Sequence, residues 1–198
     1  MRELRRTDHG GGGTTTRVAK RLIIVAYDSQ WPMFFEREKT SVLKVLGDRL
    51  IALEHVGSTA VPGLGAKPII DIMGGLPRLA EAEGCIAPLE TLGYHFVPEA
   101  MRDLPDDRYF ERWTEDFEQG TELAHLHLTQ YGSSFWRAHL AFRDILRARP
   151  DLAAAYERLK RELAPRHTSG ASYSQAKTAF IRSALVQAQN AQSAPRNA

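Results

Sequence analysis

Cysteine is almost missing from this chain: Cys85 is the single one in 198 residues. One thiol excludes an internal disulfide and a cysteine-based zinc site within one chain, and it predicts a reducing, cytoplasmic setting. Cys85 itself reads as a small, half-buried residue near a helix. An excess of one charge is also missing, because 26 Lys and Arg stand against 24 Asp and Glu, a formal net charge of +2. That balance argues against a general nucleic-acid coat while leaving room for a local basic cluster. No apolar run approaches the roughly 20 residues of a membrane span. Residues 1–6 are followed by no apolar run, so no secretory signal is expected.

What is present suits one domain, with two small ones possible at this length. Hydrophobic residues make up 43%, enough for a core. Gly10 to Gly13 and Thr14 to Thr16 fill the start of the chain. Such a segment buries too little surface to offset its ordering entropy, so residues 1–17 are predicted to form a flexible tail. Residues 191–198 read the same way, leaving 18–190 as the domain. Nothing here sets the oligomeric state.

Between the tails, strand and helix signals alternate. The β-branched run at 22–26 predicts a strand. Pro32 opens a helix that runs to Leu46 and stops at Gly47. Residues 50–56 read as a strand ending at Gly57-Ser58, residues 61–65 as a loop, and residues 66–73 as a second strand closed by Gly74-Gly75. A helix is predicted over 77–92, then strands at 94–97, 108–113 and 122–129. Helices follow over 133–149 and 151–163, the latter with Leu152, Tyr156, Leu159 and Leu163 on one stripe. Ser172-Tyr173-Ser174-Gln175 has the pattern of a capping box for a last helix. The class expected is α+β, with a C-terminal helical layer.

The chemistry concentrates between Glu54 and Met73. A glycine lets the backbone approach a ligand, and N–H groups in a tight turn can cradle an anion, so Gly57 and Ser58 are candidates for holding one. Strand alternation places Lys67, Ile69, Asp71 and Met73 on one face. An acid inside an apolar strand needs a partner or a metal, and the plainer alternative is a salt bridge to a lysine at the core edge. His125 and His127 share a side of their strand, about 7 Å apart. They suit a transition metal, acid–base work or phosphate, or they simply line an exposed sheet face. His55, on the other face from Glu54 and Ser58, reads as structural. His139, Arg143 and Arg147 fall at i, i+4 and i+8 with Asp144 alongside, either to meet an anion or as a solvated face. Lys177 shares an apolar stripe with Tyr173, Phe180, Ile181 and Ala184, so it points inward to a partner or snorkels outward. Lys160, on a mixed helix face, is a weaker candidate.

These stretches resemble a known family. Tyr27-Asp28 and Trp31-Pro32, His55-Val56-Gly57-Ser58-Thr59-Ala60-Val61-Pro62-Gly63-Leu64, Lys67-Pro68-Ile69-Ile70-Asp71-Ile72, His125-Leu126-His127, Phe142-Arg143-Asp144 with Leu146-Arg147, Tyr156 with Lys160, and Tyr173 with Lys177-Thr178-Ala179-Phe180 are similar to the GrpB family over about residues 23–185. That family in turn resembles the nucleotidyltransferases, whose signature is a Gly-Ser turn followed by a strand carrying one or two acids. The resemblance implies a nucleotidyltransferase-like fold. It also implies a small phosphate-bearing ligand and Mg2+ with a nucleotide. Members are named as dephospho-CoA kinase or protein-folding accessory domains.

On that resemblance Gly57 and Ser58 hold phosphate and Asp71 holds the metal. Lys67, Arg143, Arg147 and Lys177 neutralise the ligand, and His125 and His127 join Asp71 in catalysis. Two departures stand against a two-metal enzyme. The alternate partner of Asp71 is Met73, a thioether that a hard cation does not choose, and residues 123–129 contain no acid. Transfer of a nucleotidyl or phosphoryl group and a non-catalytic nucleotide- or phosphate-binding module therefore both stay open, with a folding or scaffold partner as a third possibility. The open structural question is whether a second carboxylate, Glu54 first, reaches Asp71.

Overall fold

The computed structural model describes residues 22–113 and 122–193. The expected tails at 1–17 and 191–198 lie outside them, apart from the backbone of 191–193. Five strands form one mixed sheet: β1 (Ala52–Val56), β2 (Ile70–Leu76), β3 (Tyr94–Phe96), β4 (Arg108–Trp113) and β5 (Glu122–Gln130), in the order β1-β2-β5-β4-β3. β2 and β5 run parallel, and the other neighbours are antiparallel. The helices are α1 (Trp31–Leu46), α2 (Ile86–Glu90), α3 (Ser134–Ala148), α4 (Pro150–Leu163), α5 (Gly170–Ala176) and α6 (Thr178–Ser193). The α+β class and the C-terminal helical layer expected from the sequence are both present.

Side chains alternate across a strand, and here the alternation divides the sheet by chemistry. One face carries Leu53, Ile70, Ile72, Leu126, Leu128, Phe110 and Tyr94, all buried. α1 lays Phe35, Val42 and Leu46 on that face, with spacings that keep them on one helix stripe, to form the main core. Each such aliphatic group, once buried, contributes roughly 1.5–3 kcal/mol. The opposite face carries Glu54, Val56, Asp71, Met73, His125, His127 and Tyr109, brought into adjacent rows by the strand registers. Only Val56 and Met73 of this set join an apolar cluster, under Trp136 of α3. The loop after β1 is tied into the helical layer, where Val61 and Leu64 pack with Leu146 and Tyr156.

Four expectations need correction. Residues 22–26 form no sheet strand; Val25 makes one isolated bridge to Ala66, and Ile23 is exposed. The second strand starts at Ile70 rather than Ala66, and Gly74 and Gly75 lie inside it. They sit there because the sheet is tightly covered: an added Cβ would fall 2.6 Å from Leu128 at Gly74 and 2.9 Å from Tyr131 at Gly75. Residues 77–92 are not one helix. Leu79–Cys85 is a 3₁₀ segment, and α2 begins only at Ile86. Proline is tolerated in the first turn of a helix and not in its interior, so Pro88 fixes a late start. The last helix is capped by Ser169, whose Oγ accepts from the Ser172 N–H at 3.2 Å, and it breaks between α5 and α6 at Lys177.

Candidate functional site

β1 ends at Gly57, which has φ 68°, a value that side-chain-bearing residues rarely adopt. Space imposes the same choice, since a Cβ there would lie 2.1 Å from Oδ2 of Asp71. The turn therefore rests directly against the Asp71 carboxylate. Beyond it, Ser58–Ala60 forms a single 3₁₀ turn. Ser58, Thr59, Lys67, Asp71, Lys160, Tyr173 and Lys177 line one cavity of about 310 Å³, counting the solvent at its mouth. Lys67 precedes β2 instead of lying on it, yet it still reaches the cavity that Asp71 lines.

The two helix lysines arrive by one device. Lys160 follows Tyr156 by four residues, and Lys177 follows Tyr173 by four. Each ammonium stands over its tyrosine ring, at 5.0 Å and 4.3 Å from the centroid. Lys160 is 2% exposed; it donates to Ser58 Oγ at 2.9 Å and to the Gly65 carbonyl. Burial, then the charge of Lys177, pulls Lys160 down to about 7. Burial, then Lys67, pulls Lys177 down to about 8, against the opposing pull of Asp71. Lys67 also lies over the Tyr173 ring, at 5.9 Å. Neither the Lys67 nor the Lys177 ammonium has a hydrogen bond or ion pair among the described residues. Tyr173 is buried, its hydroxyl lacks a hydrogen-bond partner among the described residues, and burial raises it to about 12, so it remains a phenol.

Asp71 connects this cavity to the histidines. Its Oδ1 lies 3.0 Å from Nδ1 of His125, directly across the strand pair. Burial pushes the Asp71 carboxyl up, but the hydrogen bond and charge of His125, with Lys67 beyond, hold it well below the usual carboxylate range. His127 stands on the same face, with Nδ1 2.6 Å from Oδ2 of Asp107. The Tyr109 ring lies 5.2 Å from His125 and 5.0 Å from His127. Asp107 is buried, and its Oδ1 has no hydrogen-bond partner among the described residues. His139 of α3 adds its ring 6.1 Å from His127 and uses Nδ1 on the Phe135 carbonyl. His55 is on the core face, stacked on Phe35 at 4.7 Å and in contact with Thr59 Oγ1 at 3.0 Å. Burial lowers it to about 4, so it is neutral.

The α3 arginines take a different place. Arg143 donates to Glu54 at 2.8 Å and to the His55 carbonyl at 3.0 Å, and Asp144 holds its other edge. Arg147 donates twice to the Ala60 carbonyl, at 3.0 and 2.8 Å. Both grip the backbone on either side of the Gly57 turn, and neither lines the cavity. Glu54 is thereby committed to Arg143 and is not the second carboxylate at Asp71.

With the site in view, its relatives can be compared. The family model described as GrpB protein matches residues 21–187. The chain belongs to the GrpB family. It is 32% identical over 162 residues to the glutamate-rich protein GrpB of Alkalihalophilus pseudofirmus, covering 81% of this chain and 91% of that one. A crystal structure of GrpB from Enterococcus faecalis is similar with a TM-score of 0.73 and 29% identity, over 86% of this chain and 99% of that one. The dephospho-CoA kinase of Mycolicibacterium paratuberculosis is 29% identical over 167 residues, which are 75% of this chain and 41% of the kinase. Cid1 poly(U) polymerase is similar at a TM-score of 0.45 and 12% identity.

The magnesium site implied by the wider resemblance can be tested on the donor set. Mg2+ asks for hard oxygen ligands in octahedral array. Among the described residues Asp71 is the one carboxylate lining the cavity, His125 engages one of its oxygens, and three lysines share the space. Met73 is fully buried in an apolar cluster. Among the described residues no three His, Cys, Asp or Glu side chains are grouped to hold a metal. These residues do not fit the two-metal arrangement.

Lys160 belongs to the cavity more fully than its sequence context suggests, Tyr173 and Thr59 join it as lining residues, and Asp107 holds His127. The signal in the sequence is the Tyr-x-x-x-Lys spacing, which occurs twice and brings each ammonium back over its own tyrosine.

Proposed function

We propose that this chain binds a phosphate-bearing small molecule in the cavity at the Gly57-Ser58 turn. The observation that carries the proposal is the meeting of three lysines and three hydroxyl side chains on one cavity that, among the described residues, has a single carboxylate. Among the described residues Lys67 and Lys177 have no anionic partner within hydrogen-bonding distance, and an anion in the cavity would supply one. Ser58 accepts from Lys160, which leaves the Ser58 proton to donate outward. His125 does not line the cavity but holds Asp71, which does.

The catalytic form of this proposal is transfer of a nucleotidyl or phosphoryl group, with Asp71, His125 and His127 as the reacting side chains. The non-catalytic form is an accessory phosphate- or nucleotide-binding module, and one observation favours it: buried Met73 occupies the position where a second metal-binding acid would stand. Titration calorimetry against inorganic phosphate, nucleotides and coenzyme A precursors tests the shared claim. Binding of at least one phosphate compound is expected. A folded protein that binds none of them would overturn it. Turnover of a bound nucleotide would then decide for the transferase.

A further inference from the structure

The cavity combines a charge excess with a poor donor set for metal. Three ammonium groups against one carboxylate leave two positive charges, and they stand within one small volume. A divalent cation entering there would meet three like charges and compete with His125 for Asp71. The Ser58 oxygen already accepts from Lys160. Lys160 itself cannot swing away, because Ser58 and the Gly65 carbonyl hold it in a buried position.

We infer that the cavity takes one dianionic phosphate monoester group without a divalent cation, with Lys67, Lys160 and Lys177 supplying the charge that metal ions supply elsewhere. This inference rests on the proposal that the cavity is a phosphate site. A phosphate monoester is a dianion above its second pKa, about 6, and so matches the two excess charges. A triphosphate brings more charge than the three lysines can balance and needs its own cation. Burial lowers both Lys160 and Lys177, aided by the charge of Lys177 on the first and of Lys67 on the second, and a dianion among them would offset that repulsion. Tyr173 lines the same cavity, and among the described residues its buried hydroxyl has no hydrogen-bond partner.

The test is titration of the full chain with inorganic phosphate, a nucleoside monophosphate and a nucleoside triphosphate, each in EDTA and in excess Mg2+. The expected result is monophosphate affinity equal within about twofold in the two conditions, with no advantage for the triphosphate in EDTA. A gain of about tenfold or more for the monophosphate on adding Mg2+ would overturn the metal-free site and leave the phosphate site standing. Absence of binding under every condition would sink both. Lys67→Gln gives a second reading that burial does not confound, because Lys67 is only partly buried. It should weaken monophosphate binding in EDTA by about tenfold with an unchanged melting temperature, and unchanged affinity would remove Lys67 from the site and overturn the charge match.

Discussion

The cations around the Gly57 turn fall into two regions that behave differently. On the α3 side, Arg143 and Arg147 spend their donors on Glu54, Asp144 and the carbonyls of His55 and Ala60. On the side of α4 and the α5–α6 junction, Lys160 binds two oxygens of the loop, and the Lys177 ammonium, among the described residues, meets an aromatic face and no oxygen acceptor. The difference follows from shape. A guanidinium is planar and matches several fixed acceptors at once, so it suits a clamp on backbone. An ammonium is a point charge that loses protons when buried, so it suits a place where an anion comes and goes. Positive charge near a glycine turn is therefore not one signal: one set of cations builds the turn, and the other faces what the turn binds.

The largest expected effect is at the residue both regions surround. Gly57→Ala places a Cβ at a position 2.1 Å from Asp71 Oδ2 and forces an unfavourable φ. A loss of about 3 kcal/mol or more is expected, which is a fall of roughly 6–12 °C in melting temperature for a chain of this size. A melting temperature that moved by less than about 2 °C would mean that the turn adapts and that neither region is fixed by it.

Lys177→Met sharpens the contrast from the lysine side. Phosphate binding should weaken by ten- to a hundredfold, because a charge-assisted hydrogen bond is worth roughly 1.5–3 kcal/mol. Stability should stay the same or rise, since an unpaired, poorly solvated charge is removed. Equal affinity in the calorimeter would make Lys177 a packing residue.

Arg143→Met should show the reverse. Urea denaturation should report a loss of about 1–2 kcal/mol, discounted because Glu54 is partly exposed, with phosphate affinity unchanged within about threefold. A tenfold loss of affinity at intact fold would return the arginines to the ligand and erase the division.

The smallest loss of affinity is expected from pH. Lys160, faced by Lys177, Glu157, Asp71 and Arg161, and Lys177, faced by Lys67 and Asp71, hold their folded values near about 7 and about 8. Both are lowered from 10.5, so between these values the unfolded chain binds more protons, and stability without ligand rises with pH. Affinity for a monophosphate runs the other way, falling severalfold from about pH 7 to 9 as the ammonium groups discharge. A flat profile in both measurements would show that the lysines remain fully charged.

Much of the fold was legible in one dimension. The period-two alternation of β5, with His125 and His127 between Ala124, Leu126 and Leu128, announced a strand with one polar face. Pro32 and Gly47 bounded α1 because proline and glycine act through local backbone geometry. The misreadings lay where tertiary contacts override local signals. Gly74 and Gly75 looked like a strand end, yet they are close-packing positions under Leu128 and Tyr131. The 77–92 segment had helical composition but carried Pro88 too deep for one helix.

By itself the sequence determined the strands, most of the helices, the Gly57-Ser58 turn and the kinship to GrpB proteins, since these depend on spacing and local conformation. Only the tertiary structure decided which charges meet. Asp71 joins His125 through the parallel pairing of β2 with β5, strands separated by some fifty residues of chain. Lys160 reaches Ser58 across 102 residues, and Arg143 reaches Glu54 across 89. Charge in the sequence is a property of single residues. Whether a cation clamps the backbone or waits for an anion is set by burial and by the nearest acceptor, and both exist only once the chain has closed on itself.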